Sequence, residues 1–353
     1  MPFDLRPQTT RDIQERARPA IAAWLFVLCF MLLVMVVLGG ATRLTGSGLS
    51  IMEWDPIMGA LPPWSNAEWQ RLYGLYQQIP QYTLVNQGFG LDGFKHIFWL
   101  EWSHRFWGRL MGVVLLGPLL WFGLRRAMPS WLWIRMAVLL VLGGLQGAVG
   151  WFMVASGFEA DSTAVSPYRL VLHLALALSL YAALFWTAMS VQRDVSKPKH
   201  IVPVGFRRAA TLLLVLVSLT ILAGGFVAGL KAGLTYNTFP LMDGHIVPDG
   251  WAALQPWWKN LFENIPSVQF DHRLLATSTV SFGLCVAAYG MSAQPTGALF
   301  KALAAVGCIV IAQYLLGVAT LIYVVPVALG TLHQAGAVLL LTAALALRHV
   351  LRG

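Results

Sequence analysis

The stretch Phe94-Lys-His-Ile-Phe-Trp-Leu-Glu-Trp-Ser-His-Arg-Phe-Trp-Gly-Arg109 decides how the chain is read. It puts a carboxylate, Glu101, three residues before His104. In a helix that spacing stacks both side chains on one face. The apolar run Leu110 to Phe122 follows, so the pair is expected near the mouth of a membrane span. Of 353 residues, 58% are hydrophobic and 11% charged; soluble proteins carry about 25% charged residues. The class is an all-α polytopic membrane protein. Its net charge of +9 marks cytoplasmic loops rather than a nucleic-acid partner. Cys29, Cys285 and Cys308 lie in apolar runs with no metal-ligand spacing. They are expected to be small buried hydrophobes, with no disulfide framework.

Working outward, eight spans are expected at about 20–41, 105–124, 132–154, 168–190, 209–230, 270–291, 299–323 and 327–348. The first is long enough to cross about 30 Å at 1.5 Å per residue and too long for a cleaved signal peptide. The chain divides into a cytoplasmic segment 1–19, a four-helix half 20–192, a linker 193–208 and a second four-helix half 209–350. With a cytoplasmic N-terminus, 15 of 24 basic residues fall on the cytoplasmic side, among them Arg6, Lys197 and Lys199. The other side holds 11 of the 15 acidic residues. The positive-inside rule therefore favours two cytoplasmic termini and two long outer loops, 44–100 and 231–269. No presequence is evident, which favours a bacterial inner membrane over a mitochondrion.

The chain also repeats itself. Gly39-Gly40 ends the first span and Gly224-Gly225 ends the fifth. Ser103-His-Arg105 opens the second span and Asp271-His-Arg273 the sixth, 168 residues later. Leu145-Gln-Gly147 resembles Ala312-Gln-Tyr-Leu-Leu-Gly317, and His173 answers His333. The reading is two parallel four-helix repeats, related by an axis along the membrane normal.

His104, His173, His272 and His333 each fall early in an even-numbered span. Pro167, Pro266 and Pro326 are expected to open three of those helices, with the histidines six or seven residues on. One such histidine has an ordinary reading as a hydrogen-bonded packing residue; four, paired by a repeat, do not. His96, His200, His245 and His349 read as solvated or interfacial. Zinc takes four ligands from His, Cys or carboxylate. Two imidazoles on separate helices suit the axial positions of a haem instead. Phe98, Trp99, Trp102, Phe106 and Trp107 suit a flat macrocycle, although interfacial anchoring explains most tryptophans. Arg43, Arg105, Arg109, Arg273 and Lys231 are candidate partners for haem propionates, or snorkelling anchors. The halves differ in one informative way: Glu101 corresponds to Gln269. An acid beside one iron can relay protons or polarise a bound group. A local cap is the plain alternative.

Phe98-Trp-Leu-Glu-Trp-Ser-His-Arg-Phe-Trp-Gly-Arg109, Gly39-Gly-Ala-Thr-Arg-Leu-Thr-Gly-Ser-Gly-Leu-Ser50 and Phe270-Asp-His-Arg273 together resemble the haem A synthase family, over nearly the whole chain. The resemblance implies an oxidoreductase that converts the C8 methyl of haem O to a formyl group, giving haem A for terminal oxidases. It implies a resident haem b on His272 and His333, substrate haem on His104 and His173, and catalysis tied to Glu101. Haem O synthase and an electron donor are the implied partners, with homo-oligomerisation left open. Some bacterial members carry a cysteine pair in the first outer loop. Here 44–100 has none, which resembles the alphaproteobacterial and mitochondrial branch. Two other readings stay open: a di-haem cytochrome b taking electrons from quinol, which leaves Glu101 unexplained, and a parallel-repeat transporter, which predicts a midplane site.

Overall fold

Bilayer hydrocarbon offers no partner to a backbone amide, so a spanning segment must satisfy itself as a helix. The computed structural model describes residues 9–160, 162–193 and 202–352, and they obey this rule. Arg6, Lys197, Lys199 and His200 lie outside the described residues. The described residues form ten α-helices: α1 (Thr10–Leu44), α2 (Asn66–Tyr76), α3 (Pro80–Leu84), α4 (Leu91–Leu124), α5 (Ser130–Ala155), α6 (Pro167–Gln192), α7 (Val204–Gly229), α8 (Ile265–Ser292), α9 (Gly297–Ile322) and α10 (Val327–Val350). Among the described residues eight, all but α2 and α3, are long and apolar enough to cross a membrane.

Several expected boundaries move. The first span starts at Thr10 rather than Ala20, because Thr9 and Asp12 form a reciprocal capping box that satisfies free amides of the first turn. Residues 10–19 are therefore helical. The second span starts at Leu91 rather than 105, so Glu101 and His104 sit well inside a continuous helix. Their depth cannot be counted from its start as it can for the other three histidines. Pro167 is the first residue of α6, Pro266 the second of α8, and Pro326 the residue before α10.

The two long loops, 44–100 and 231–269, are built structures. Leu49, Trp69, Tyr76, Phe94 and Phe98 form a compact aromatic and aliphatic cluster around the first turns of α4. Arg71 binds Glu53 in a bidentate pair, both bonds 2.8 Å, and also Glu68. Those hydrogen bonds hold both carboxyls below their ordinary range. The clamp is therefore intact at neutral pH and fails only as acidity rises through the carboxylate range.

Four helices, α1, α6, α7 and α10, meet at the centre. The core includes Leu25, Leu213, Ala188, Ala344 and Leu347. In the first half α1 packs on α4 and α6, and α5 on α6; in the second half α7 packs on α8 and α10, and α9 on α10. The halves join through α1 with α10, α6 with α7, and α6 with α10. Small residues allow the close crossings. A side chain at Gly40 would strike Gln334, and one at Gly225 would meet Val171 and Leu174. Gln334 Nε2 donates to the Val36 carbonyl at 3.1 Å, and Tyr181 and Thr342 share a 2.6 Å hydrogen bond. Both α1 and α7 end in a left-handed residue, Gly46 and Lys231, followed by a 3-10 turn.

Two minor expectations are corrected. Cys285 and Cys308 are exposed, and only Cys29 is buried; a thiol facing lipid loses nothing, because the tails are as apolar as the core. His349 is buried, edge-on to Trp186 with centroids 4.9 Å apart and within 3.3 Å of Ser190 Oγ.

Tyr181→Phe should lower the unfolding free energy in detergent titration by about 0.6 kcal/mol, a usual value for hydrogen bonds between membrane helices. The same change on a Thr342→Val background should cost nothing further.

Candidate functional site

Each of the four span histidines lies against a glycine of a neighbouring helix. A methyl group added at Gly39 would stand 3.1 Å from His104 Nε2. At Gly150, Gly224 and Gly317 it would stand 2.9, 2.9 and 2.8 Å from Cε1 of His173, His272 and His333. The absence of a side chain there is what lets an imidazole lie on the backbone. The four contacts fall on two helix pairs in each part of the chain, α1–α4 and α5–α6, then α7–α8 and α9–α10.

Hydrogen bonds orient three of the rings. Gln146 Nε2 lies 3.2 Å from His173 Nδ1 and donates to the His173 carbonyl at 3.1 Å. Gln313 does the same to His333, at 3.1 and 2.9 Å. His272 Nδ1 sits 3.1 Å from the Thr220 carbonyl. The two glutamines were not assigned a role from sequence. The available signal was Gln146-x-x-x-Gly150 and Gln313-x-x-x-Gly317, a spacing that puts amide and glycine on one helical face.

Glu101 is buried. Its Oε1 accepts from Arg105 Nε at 2.6 Å, and no hydrogen bond or ion pair among the described residues links it to His104. Arg105 also donates to the carbonyls of Ile51, at 2.7 Å, and Glu53, at 2.9 Å. The second half has a matching clamp: Arg273 donates to the carbonyls of Tyr236 and Thr238, both at 2.9 Å. There the buried Gln269 donates to the Tyr236 carbonyl at 3.1 Å. The carboxylate of one half is thus an amide in the other.

The remaining cationic candidates divide. Arg43 ties α1 to the Ala228 carbonyl of α7 at 2.5 Å. Arg109 donates to the carbonyls of Asp55 and Pro56. Lys231 is exposed on its left-handed turn. Arg109 Nη1 and Arg273 Nε are buried with no acceptor among the described residues, which is where a carboxylate would be received. Of the aromatics, Phe98 packs on Trp69 in the outer cluster, because α4 rises so far above the span. Trp107 donates to the Met31 carbonyl at 2.8 Å. Trp102 stacks on Phe106, and its buried Nε1 has no acceptor among the described residues.

The halves also differ in closure. In the second, α8 and α9 pack closely: added methyls at Gly283, Gly290 and Gly307 would meet Val310, Leu303 and Ala287. In the first, α4 and α5 barely meet, apart from Gly123 against Trp133 near their short connection. Gly112 and Gly117 of α4 and Gly143, Gly144 and Gly147 of α5 have nothing within 4 Å of an added methyl.

Among the described residues no three His, Cys, Asp or Glu side chains gather as a metal site, so a tetrahedral ion is not offered its usual ligands. Two glycine-seated imidazoles per half, with unpaired donors near the outer face, fit a haem held from two sides. Fold and site thus define a polytopic helical membrane protein with four glycine-seated histidines inside its spans. Its sequence relatives agree. The profile of the COX15-CtaA family, described as a cytochrome oxidase assembly protein, matches residues 22–345. Proteins named haem A synthase are similar throughout. The one from Granulibacter bethesdensis is 60% identical, covering 96% of this chain and 89% of its own length. The one from Nitrosospira multiformis is 45% identical, covering 98% and 97%. The chain belongs to the COX15-CtaA family.

Gly317→Ala and Gly150→Ala should each destabilise the protein by about 1–3 kcal/mol, the usual cost of overpacking. Gly147→Ala, which meets open space, should be neutral or stabilising by up to about 1 kcal/mol through helix propensity. Thermal unfolding of the three variants checks the contrast.

Proposed function

We propose that this chain makes haem A from haem O, by oxidising the C8 methyl group to a formyl group. The observation that carries the assignment of roles is the buried carboxylate of α4, Glu101, at the position where α8 has the buried amide Gln269. His104 and His173 hold the substrate haem. His272 and His333 hold haem b, which supplies one-electron redox chemistry when bound. The two four-helix halves, 20–192 and 209–350, are copies of one unit in parallel orientation; the matching arginine clamps and glycine–histidine contacts support this. Both termini face the cytoplasm of a bacterial cell, as the distribution of basic residues favours.

In this reading Glu101 takes a proton released as the methyl carbon is oxidised. A carboxylate is suited to that work where water is scarce and its position is fixed. Arg105 fixes it: one guanidinium spans the carboxylate and two loop carbonyls. Arg109 and Arg273 meet propionates, one in each half. The open seam between α4 and α5 supports the first half as the one that exchanges its porphyrin, since it leaves an apolar path toward the lipid for a prenylated substrate. The closed α8–α9 contact suits a haem that stays.

The test is extraction and chromatography of non-covalent haem from protein expressed beside a haem O source. Wild type should yield haem B with haem O and haem A. Glu101→Gln should retain haem B and haem O while haem A disappears. His272→Ala or His333→Ala should lose haem B. Haem B alone, with haem O abundant, would make the chain an electron-transferring cytochrome instead.

A further inference from the structure

At the end of the bundle that carries both termini, an open groove of about 610 Å³ lies between α7 and α10. Its polar lining is Arg207, Arg208 and Thr211 from α7 and Arg348 from α10; Leu212 and Val215 line its apolar part. Nothing in the site already described uses these residues. Arg348 Nε donates to Thr211 Oγ1 at 2.8 Å, while its Nη1 is buried with no acceptor. No ion pair among the described residues includes any of the three arginines. Three positive charges thus converge on one groove without a counter-charge among the described residues.

The order of residues along α7 says what kind of anion belongs there. Arg207 and Arg208 lie at the helix end. Thr211 and Leu212 follow one turn on, and Val215 lies about 12 Å deeper than Arg207 at 1.5 Å per residue. Leu212 and Val215 are exposed, at 49% and 47%. A charged head at the membrane surface and an apolar strip running toward its middle match one molecule with both parts. We propose that this groove is a binding site for an anionic phospholipid, its phosphate among Arg207, Arg208 and Arg348 and an acyl chain along Leu212 and Val215. Basic pockets between spanning helices at this depth are suited to such headgroups. A free phosphate would use the arginines and leave the strip idle.

The experiment uses the full chain in mild detergent. Native mass spectrometry should show about one phosphatidylglycerol or cardiolipin retained per wild-type chain. Each basic residue contributes roughly fivefold to binding an anionic surface, so Arg207→Ala/Arg208→Ala/Arg348→Ala should bind about a hundredfold more weakly. Arg348→Gln, whose amide nitrogen falls where Arg348 Nε donates to Thr211, should show roughly a fivefold loss and guards against misfolding of the triple variant. In thermal unfolding, added phosphatidylglycerol should raise the wild-type midpoint, and phosphatidylcholine should not. Equal retention by the variants, or equal stabilisation by phosphatidylcholine, would overturn the site. Stabilisation by inorganic phosphate alone to the same degree would make it a free-anion site and would also overturn the proposal.

Discussion

The contact on which the rest depends is imidazole against glycine. A histidine inside a span is costly unless its ring is held and its polar atoms are partnered. An opposing side chain would push the ring away from the backbone that supports it. Removing that side chain at Gly39, Gly150, Gly224 and Gly317 brings each ring onto a neighbouring helix. It does so at the cost of conformational entropy that glycine carries in a helix interior. The helices must then stay in register, and this is what the central packing of α1, α6, α7 and α10 provides. The outer clamps serve the same end: Arg105 and Arg273 fasten α4 and α8 to loops that would otherwise swing.

The first and second groups of four spans share several contacts and differ in others. Where the first half has Glu101, the second has Gln269, and each is buried beside an arginine that holds loop carbonyls. Replacing an amide by a carboxylate converts a structural hydrogen bond into an ion pair and leaves a group able to accept a proton. The difference in helix packing runs parallel to it: the half with the carboxylate is the half whose α4 and α5 stand apart.

Much of this was legible in the sequence, because hydropathy and charge are local properties. The eight spans, the four histidines and the odd carboxylate can all be read from residue types and spacing. What could not be read depends on neighbours distant in the chain. The glutamines that orient His173 and His333 lie 27 and 20 residues away. Their motif was visible, but its partner was not. His349 looked like a solvated terminal residue because its burial is made by Trp186, on another helix. Phe98 looked like a porphyrin neighbour because hydropathy placed the membrane boundary beside it, whereas α4 continues to Leu91 and takes Phe98 into the outer cluster. The seam between α4 and α5 is a relation between two surfaces, and neither surface alone announces it.

The arginine clamps have one more consequence. Arg105 binds the carbonyls of Ile51 and Glu53, and Arg273 those of Tyr236 and Thr238. A carbonyl oxygen is the one acceptor that every amino acid possesses, so these grips are blind to the identity of the residues they hold. The two long loops are thereby free to drift: their side chains can be rewritten for a new docking partner or different surroundings while the path of the backbone over the span histidines stays fixed. Variation in these loops among relatives should be read as freedom of this kind, and a loop grafted from one member to another needs only to present two oxygens at the right place.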